Sequence, residues 1–203
     1  MTIRRGEDWG VSGELADDAL VASSDAELAR LLLAGGVLSG RHPEAGLIAG
    51  DLARTVGADG RSPDVRGPNR TRLPIDVGVV SVGDDVMIFV AHVVIRNFAW
   101  TGRTTAIMNA AFRGSWNVSP RSHPNDGKLD VLVAELSFAD RLKARTRLPG
   151  GTHLPHPDIS VRRASDGSTP SGGREIVLVD GVRWDVAGEI EYRVIPDAAT
   201  IVI

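Results

Sequence analysis

The 203-residue sequence predicts an α+β, mostly β protein: a β-sandwich-like or open-barrel arrangement with a small N-terminal βαβ unit. Three observations carry this. From Arg72 onward, β-branched runs follow one another at short spacing with turn residues between them. Val179-Asp180-Gly181-Val182 sets Asp-Gly between β-branched flanks, the strongest short-range hairpin signal in the chain. The first 60 residues instead alternate short apolar runs with helical patterns, as a βαβ unit does.

Taken in order, Ala19 to Ala22 form a short apolar run. Ser24 and Glu27 follow with capping-box spacing, in which each side chain satisfies an orphan amide of the first helical turn. A mostly apolar helix then runs to Gly35-Gly36. A second apolar run, Gly46 to Gly50, ends at Asp51, and DLARTVG reads as one or two helical turns closed by Gly57. Residues 57 to 70 hold glycine and proline without periodicity and read as a surface loop between a βαβ-like region, 1–70, and a β-rich region, 71–203, of one domain. RLPIDVGVVSV and VMIFVAHVVIRN read as two strands joined at Gly83-Asp84-Asp85, followed by TTAIMNAAF and KLDVLVAEL. A short amphipathic helix is expected near 137 to 146, ended by Pro149-Gly150-Gly151. DISVRR, REIVLV, VRWDV and EIEYRVI are the last strands, with ATIVI as a short tail.

Apolar residues at 42% and charged residues at 24% are ordinary globular values. A net charge of -3 excludes the basic excess of a general nucleic-acid binder. With no cysteine there is no disulfide scaffold, thiolate zinc site or cysteine nucleophile, which fits a cytoplasmic protein. The start, MTIRRGEDWGVSG, has positive charge but no apolar run behind it, unlike a signal peptide. The most apolar region, Val77 to Trp100, is interrupted by Asp84-Asp85, so no transmembrane segment is expected.

Three places carry possible chemistry. In GLIAGDLART a strand meets Gly50, Asp51 and a helix start; free amides and the positive dipole end suit phosphate, and Asp51 either holds a magnesium ion or simply caps the helix. In SPRSHPNDGKLDV, Asp126 and Asp130 either share a cation or belong to turn chemistry. Asp180, read as exposed at its hairpin tip, either acts as a general base or only makes the turn. His153 and His156 have a spacing that binds metal on a helix, but Pro155 and Pro157 force a loop and no metal is assigned.

The segments LPIDVGVV, NAAFRGSWNVSPRSHPNDGKLDVLV, THLPHPDISV and VLVDG, in this order, resemble the C-terminal domain of the diacylglycerol kinase family, which includes bacterial lipid kinases and sphingosine kinases. The matching motifs are Ile75-Asp76-Val77-Gly78, Asp126-Gly127-Lys128-Leu129-Asp130 and Asp180-Gly181, and the resemblance spans about residues 72 to 203. It implies ATP held at a Gly-Gly-Asp-Gly-Thr motif and magnesium-assisted transfer of the γ-phosphoryl group to a lipid hydroxyl. Carried over, Asp180 is the catalytic base, Asp126 supports the metal, and Gly50, Asp51 and Thr55 are the nucleotide-binding residues. Asp126 and Asp180 are then expected to face a common cleft, with Asp51 on its opposite wall.

The departures from the family pattern are specific. The region before the β-rich part is about half what such a nucleotide-binding domain needs. Ala49-Gly50-Asp51-Leu52-Ala53-Arg54-Thr55 has lost two of the motif's glycines, so the backbone approaches phosphate less easily. No Gly-Thr-Gly-Asn element follows, and Val182 stands where the family has glutamate. The expected function is therefore a diacylglycerol kinase-like protein that binds a lipid or small molecule, or regulates, with weak or no kinase activity. The alternatives are an active lipid kinase using ATP and magnesium, completed as a homodimer, and a structural interaction domain. Arg54, Arg61, Arg66 and Arg70 keep the kinase alternative open as phosphate ligands, and a full-length kinase is a possible partner.

Overall fold

A computed structural model of the protein describes residues 9–58, 64–172 and 174–203. Its elements, in chain order, begin with β1 (Val11–Gly13), β2 (Val21–Ala22), α1 (Asp25–Ala34), β3 (Glu44–Leu47) and α2 (Asp51–Thr55). Then come β4 (Arg70–Val82), β5 (Asp85–Phe89), β6 (His92–Arg96), β7 (Thr104–Met108), β8 (Phe112–Arg113), β9 (Trp116–Asn117) and β10 (Leu129–Ala134). Helix α3 (Phe138–Arg147) precedes β11 (Ile159–Ala164), β12 (Asp166–Ser171), β13 (Ile176–Val179), β14 (Val182–Trp184) and β15 (Gly188–Val202).

The N-terminal βαβ unit is real: β2 and β3 pair in parallel with α1 between them. The Ser24 half of the capping box is as expected, the Glu27 amide donating to Ser24 Oγ, whereas Glu27 Oε2 reaches past the cap and accepts from the Ser23 amide and hydroxyl. The unit does not stand apart, because β3 also pairs in parallel with the end of β15. The first sheet thus runs β1-β4-β15-β3-β2, with β5 on β4 and β12 on β15. The second sheet runs β11-β10-β7-β6-β13-β14, and β8 and β9 form a small ribbon. The loop read between the two regions lies partly outside the described residues (59–63); beyond it, Val65 is buried against Leu15 and Val202.

The two sheets pack as layers. Val80, Phe89, Ile190 and Tyr192 of the first meet Val93, Ile107, Val131 and Val177 of the second in one core. The alternate residues Val94, Ala106, Met108 and Leu132 point to the other face of the second sheet and make a separate cluster under Trp100, Val118 and Leu154. Both faces are covered, which is why these strands read as unbroken apolar runs rather than alternating ones. At Gly78 the first sheet leaves room for the Phe89 ring: a Cβ there would lie 2.1 Å from it.

Two expectations change in detail. VMIFVAHVVIRN is not one strand: β5 belongs to the first sheet and β6 to the second, with Val90 and Ala91 as the crossing. EIEYRVI and ATIVI are not strand and tail but one strand, β15, whose pairing with β4 slips between Ile195 and Ala199. β12 escaped sequence reading because DGSTPS holds glycine and proline and has almost no apolar residue to mark it.

The crossing between sheets breaks the ladder, and its freed amides need acceptors. Asp180 supplies them. Its carboxylate accepts from the N–H groups of Val90 (2.8 Å), Ala91 (3.0 Å) and His92 (2.9 Å), while its own N–H donates to the His92 carbonyl. The β13–β14 turn aims it there, with positive φ at both Asp180 and Gly181, the backbone that tight hairpins prefer. The sequence reading of Asp180 as an exposed tip is thereby corrected: the side chain folds back under the hairpin.

With about 1–3 kcal/mol for each buried group left unsatisfied, Asp180→Ala is expected to cost about 3 kcal/mol or more. Asp180→Asn, keeping one acceptor oxygen, should cost less. Urea unfolding of the three proteins checks this, and a near-zero loss for the alanine variant would show that the crossing holds without the carboxylate.

Candidate functional site

The turn from β3 into α2 is where sequence reading placed phosphate. Gly50 has φ 125°, a conformation open to glycine, and the chain then enters α2 with Asp51 first. Two of the amides at this turn are already occupied. Asp25, first residue of α1 and only 7% exposed, accepts from the N–H groups of Asp51 (2.6 Å) and Leu52 (3.1 Å). A Cβ at Gly50 would lie 2.4 Å from Asp25 Oδ1, so the glycine is required by the protein's own carboxylate. Burial, with the charge of Asp180 nearby, outweighs the two amide donors and raises the Asp25 carboxyl to about 6.

Asp51 points away from that plug. Its Oδ2 lies 2.9 Å from His92 Nε2, and its Oδ1 accepts from the Gly114 amide at 2.6 Å. Burial opposes its charge, but His92, Gly114 and Arg113 together hold the carboxyl below its ordinary range. Thr55 donates to the Asp51 carbonyl and accepts from the Ala111 amide, tying α2 to the chain before β8. Arg54 donates to the Gly114 carbonyl and lies over the Phe112 ring. Asp25, Asp51, His92 and Asp180 therefore form one group around the sheet crossing. Burial raises the Asp180 carboxyl, against the pull of His92 and the three amides.

Asp126 belongs to a second group. It caps the Lys128 amide (3.0 Å) and pairs with the Arg163 guanidinium, whose Nε lies 3.4 Å from Asp130. Asp130, buried on β10, accepts from the hydroxyls of Ser119 (3.2 Å) and Ser122 (2.7 Å). Asp76, fully buried on β4, accepts from the amides of Gly127 (2.6 Å) and Asp197 (2.9 Å) and so pins the slipped stretch of β15. Burial raises both Asp76 and Asp126 to about 6. Asn109 spans the two groups, donating to the carbonyls of Asp76 and Val90.

The remaining candidates fall as follows. Arg66 donates to the carbonyls of Ala16, Asp17 and Ala19. Arg61 lies outside the described residues. His153 is buried and His156 half-buried, in the loop that the prolines predict. Asp140, His156 and Asp158 bring ligand atoms within 4.8 Å of one another, but Ser137 and Lys143 already engage both Asp140 oxygens. Asp25 and His92 escaped sequence reading. The one signal was His92 itself, a lone imidazole inside an apolar strand run.

A cavity of about 540 Å³ opens between α3 and the outer face of the second sheet, within the roughly 300–1,000 Å³ typical of small-molecule sites. Val94, Ala106 and Leu132 form its floor, and Trp100, Phe138 and Leu142 its walls. Phe138 and Leu142 remain 82% and 61% exposed, so α3 covers the sheet without closing over it. Among the described residues no helix is long and apolar enough to cross a membrane.

No family model matches the sequence, and no curated protein matches it. Solved structures do. Three from Bacillus anthracis str. Sterne are described as diacylglycerol kinases, two of them provisionally. One aligns with TM-score 0.56 at 13% identity over 90% of this chain and 77% of its own; the others give 0.52 at 14% identity (78% and 68%) and 0.50 at 13% identity (90% and 75%). The protein has a diacylglycerol kinase-like fold.

The Asp25 carboxyl generates a pH prediction. Its folded value, about 6, lies above the ordinary 3.8, so the folded state binds the proton more tightly between these two values. This group's contribution to stability therefore rises as pH falls from about 7 to about 4. Wild type should gain stability relative to Asp25→Asn across that window, read as the difference in melting temperature. A constant difference would contradict the assignment.

Proposed function

We propose that the protein is a lipid- or small-ligand-binding regulatory member of the diacylglycerol kinase-like fold, with weak or no kinase activity. The observation that carries this reading is the Asp25 carboxylate on the Asp51 and Leu52 amides. Phosphoryl transfer depends on positioning and on neutralising the charge of the phosphates. Here the turn that resembles the nucleotide motif offers those phosphates a carboxylate in place of free amides, and like charges repel. A triphosphate does not fit the turn as it stands.

The other carried-over residues support the same reading. Asp180, the resemblance's base, has its carboxylate engaged by three backbone amides. Asp126, the resemblance's metal residue, is neutralised by Arg163 rather than left with open oxygens for magnesium. The cavity beneath α3, by contrast, keeps the apolar lining and size of a ligand site.

An active kinase would need Asp25 to leave the turn, which a partner, a second copy or a full-length kinase, would have to drive. Two measurements separate the readings. With ATP and magnesium, turnover of diacylglycerol and other lipid acceptors is expected to be absent or very weak, and ATP is expected to leave the melting temperature unchanged, since only a ligand of the folded state shifts it. Clear turnover abolished by Asp51→Asn would overturn the proposal. Absence of both turnover and lipid binding would leave a structural interaction domain.

A further inference from the structure

The cavity beneath α3 is not uniformly apolar. Arg113, at the end of β8, lines it, with Nε buried and unpartnered. Among the described residues no carboxylate forms an ion pair with it. Arg96 beside it repels its charge, Trp100 offers only a ring face 5.5 Å away, and Asp51, which it senses at longer range, is held by His92 and Gly114. His153 also lines the cavity; it is 5% exposed and its Nδ1 has no partner. Burial lowers the His153 imidazole below its ordinary range, against a hydrogen bond to the backbone of Val118. Thr104 contributes a third buried orphan, its hydroxyl. These three atoms are themselves shielded behind the cavity surface; what the apolar cavity meets is the Arg113 side chain, a cation with no ion pair among the described residues, and a charge in such surroundings calls for a counter-charge.

The signs decide the ligand. Arg141 and Arg145 from α3 line the same cavity, and among the described residues no Asp or Glu does. A neutral lipid would fill the apolar volume yet leave the Arg113 cation unpaired in a partly dry site, which is costly. We propose that the cavity binds a single-chain anionic amphiphile, with the acyl chain between α3 and the second sheet and the anionic head on Arg113. This rests on the lipid-binding reading above and names the chemistry of its ligand. A carboxylate and a phosphate head share that chemistry, and both accept the guanidinium's hydrogen bonds.

Calorimetric titration of the full chain tests the proposal with three twelve-carbon probes below their micelle concentrations: laurate, dodecyl phosphate and 1-monolauroylglycerol. At least one anionic probe should bind at least about tenfold tighter than the glyceride, and its affinity should fall with salt, as expected of a charge-assisted contact. Tighter binding of laurate than of dodecyl phosphate would assign the head as a carboxylate, and the reverse a phosphate. Arg113→Gln should bring the anionic and neutral probes to near parity, and Arg113→Lys should retain the preference. Should the glutamine variant fail to fold, the probe comparison and its salt dependence on wild type remain decisive. Equal binding of all three probes would overturn the anionic head while leaving lipid binding intact. No binding by any probe would overturn both.

Discussion

The architecture depends on carboxylates that replace the hydrogen-bond ladder where the chain leaves it. A β-rich fold has to satisfy nearly every buried backbone amide, and it is at crossings, slips and helix starts that pairing fails. Asp180 serves the crossing between β5 and β6, Asp76 the slipped stretch of β15 and the Gly127 turn, and Asp25 the start of α2. Each is buried or partly buried, and for each burial raises the carboxyl. They remain there because several amides converge on each one.

This constraint also explains why the site looks as it does. Asp51, Asp126 and Asp180, the acids singled out from the sequence, sit at irregular points of the backbone: a helix start, a turn and a hairpin. In this chain the same acids are engaged by amides or by Arg163. Asp25 is the most consequential case. By accepting the Asp51 and Leu52 amides, it makes the turn before α2 an internal junction between α1 and α2. The cavity under α3 lies on the opposite side of the second sheet from the inter-sheet core, so its apolar lining does not depend on that junction.

Much of the fold was legible because its signals are local. The capping box at Ser24 and Glu27, the Asp180-Gly181 hairpin and the β-branched runs each act within a few residues. The resemblance to lipid kinases, carried by short motifs in order, reached a fold that the structural likeness supports. What stayed hidden is non-local. Nothing near Asp25 reveals that it reaches across 26 residues to Asp51, and nothing near Asp180 reveals that its acceptors serve amides some 90 residues earlier. The two acidic groups could not be separated for the same reason: Asp126 and Asp180 are distinguished by Arg163 and by the sheet crossing, both distant in sequence.

The most direct test of this account is a carboxyl-detected NMR titration of the aspartates, followed together with the backbone amides. The account predicts that Asp25 titrates near 6 and that the Asp51 and Leu52 amides move with the same midpoint, because their hydrogen bonds end on that carboxylate. An Asp25 midpoint near the ordinary 3.8, with those two amides unresponsive, would contradict it: the turn before α2 would then be open, and its amides free for a phosphate.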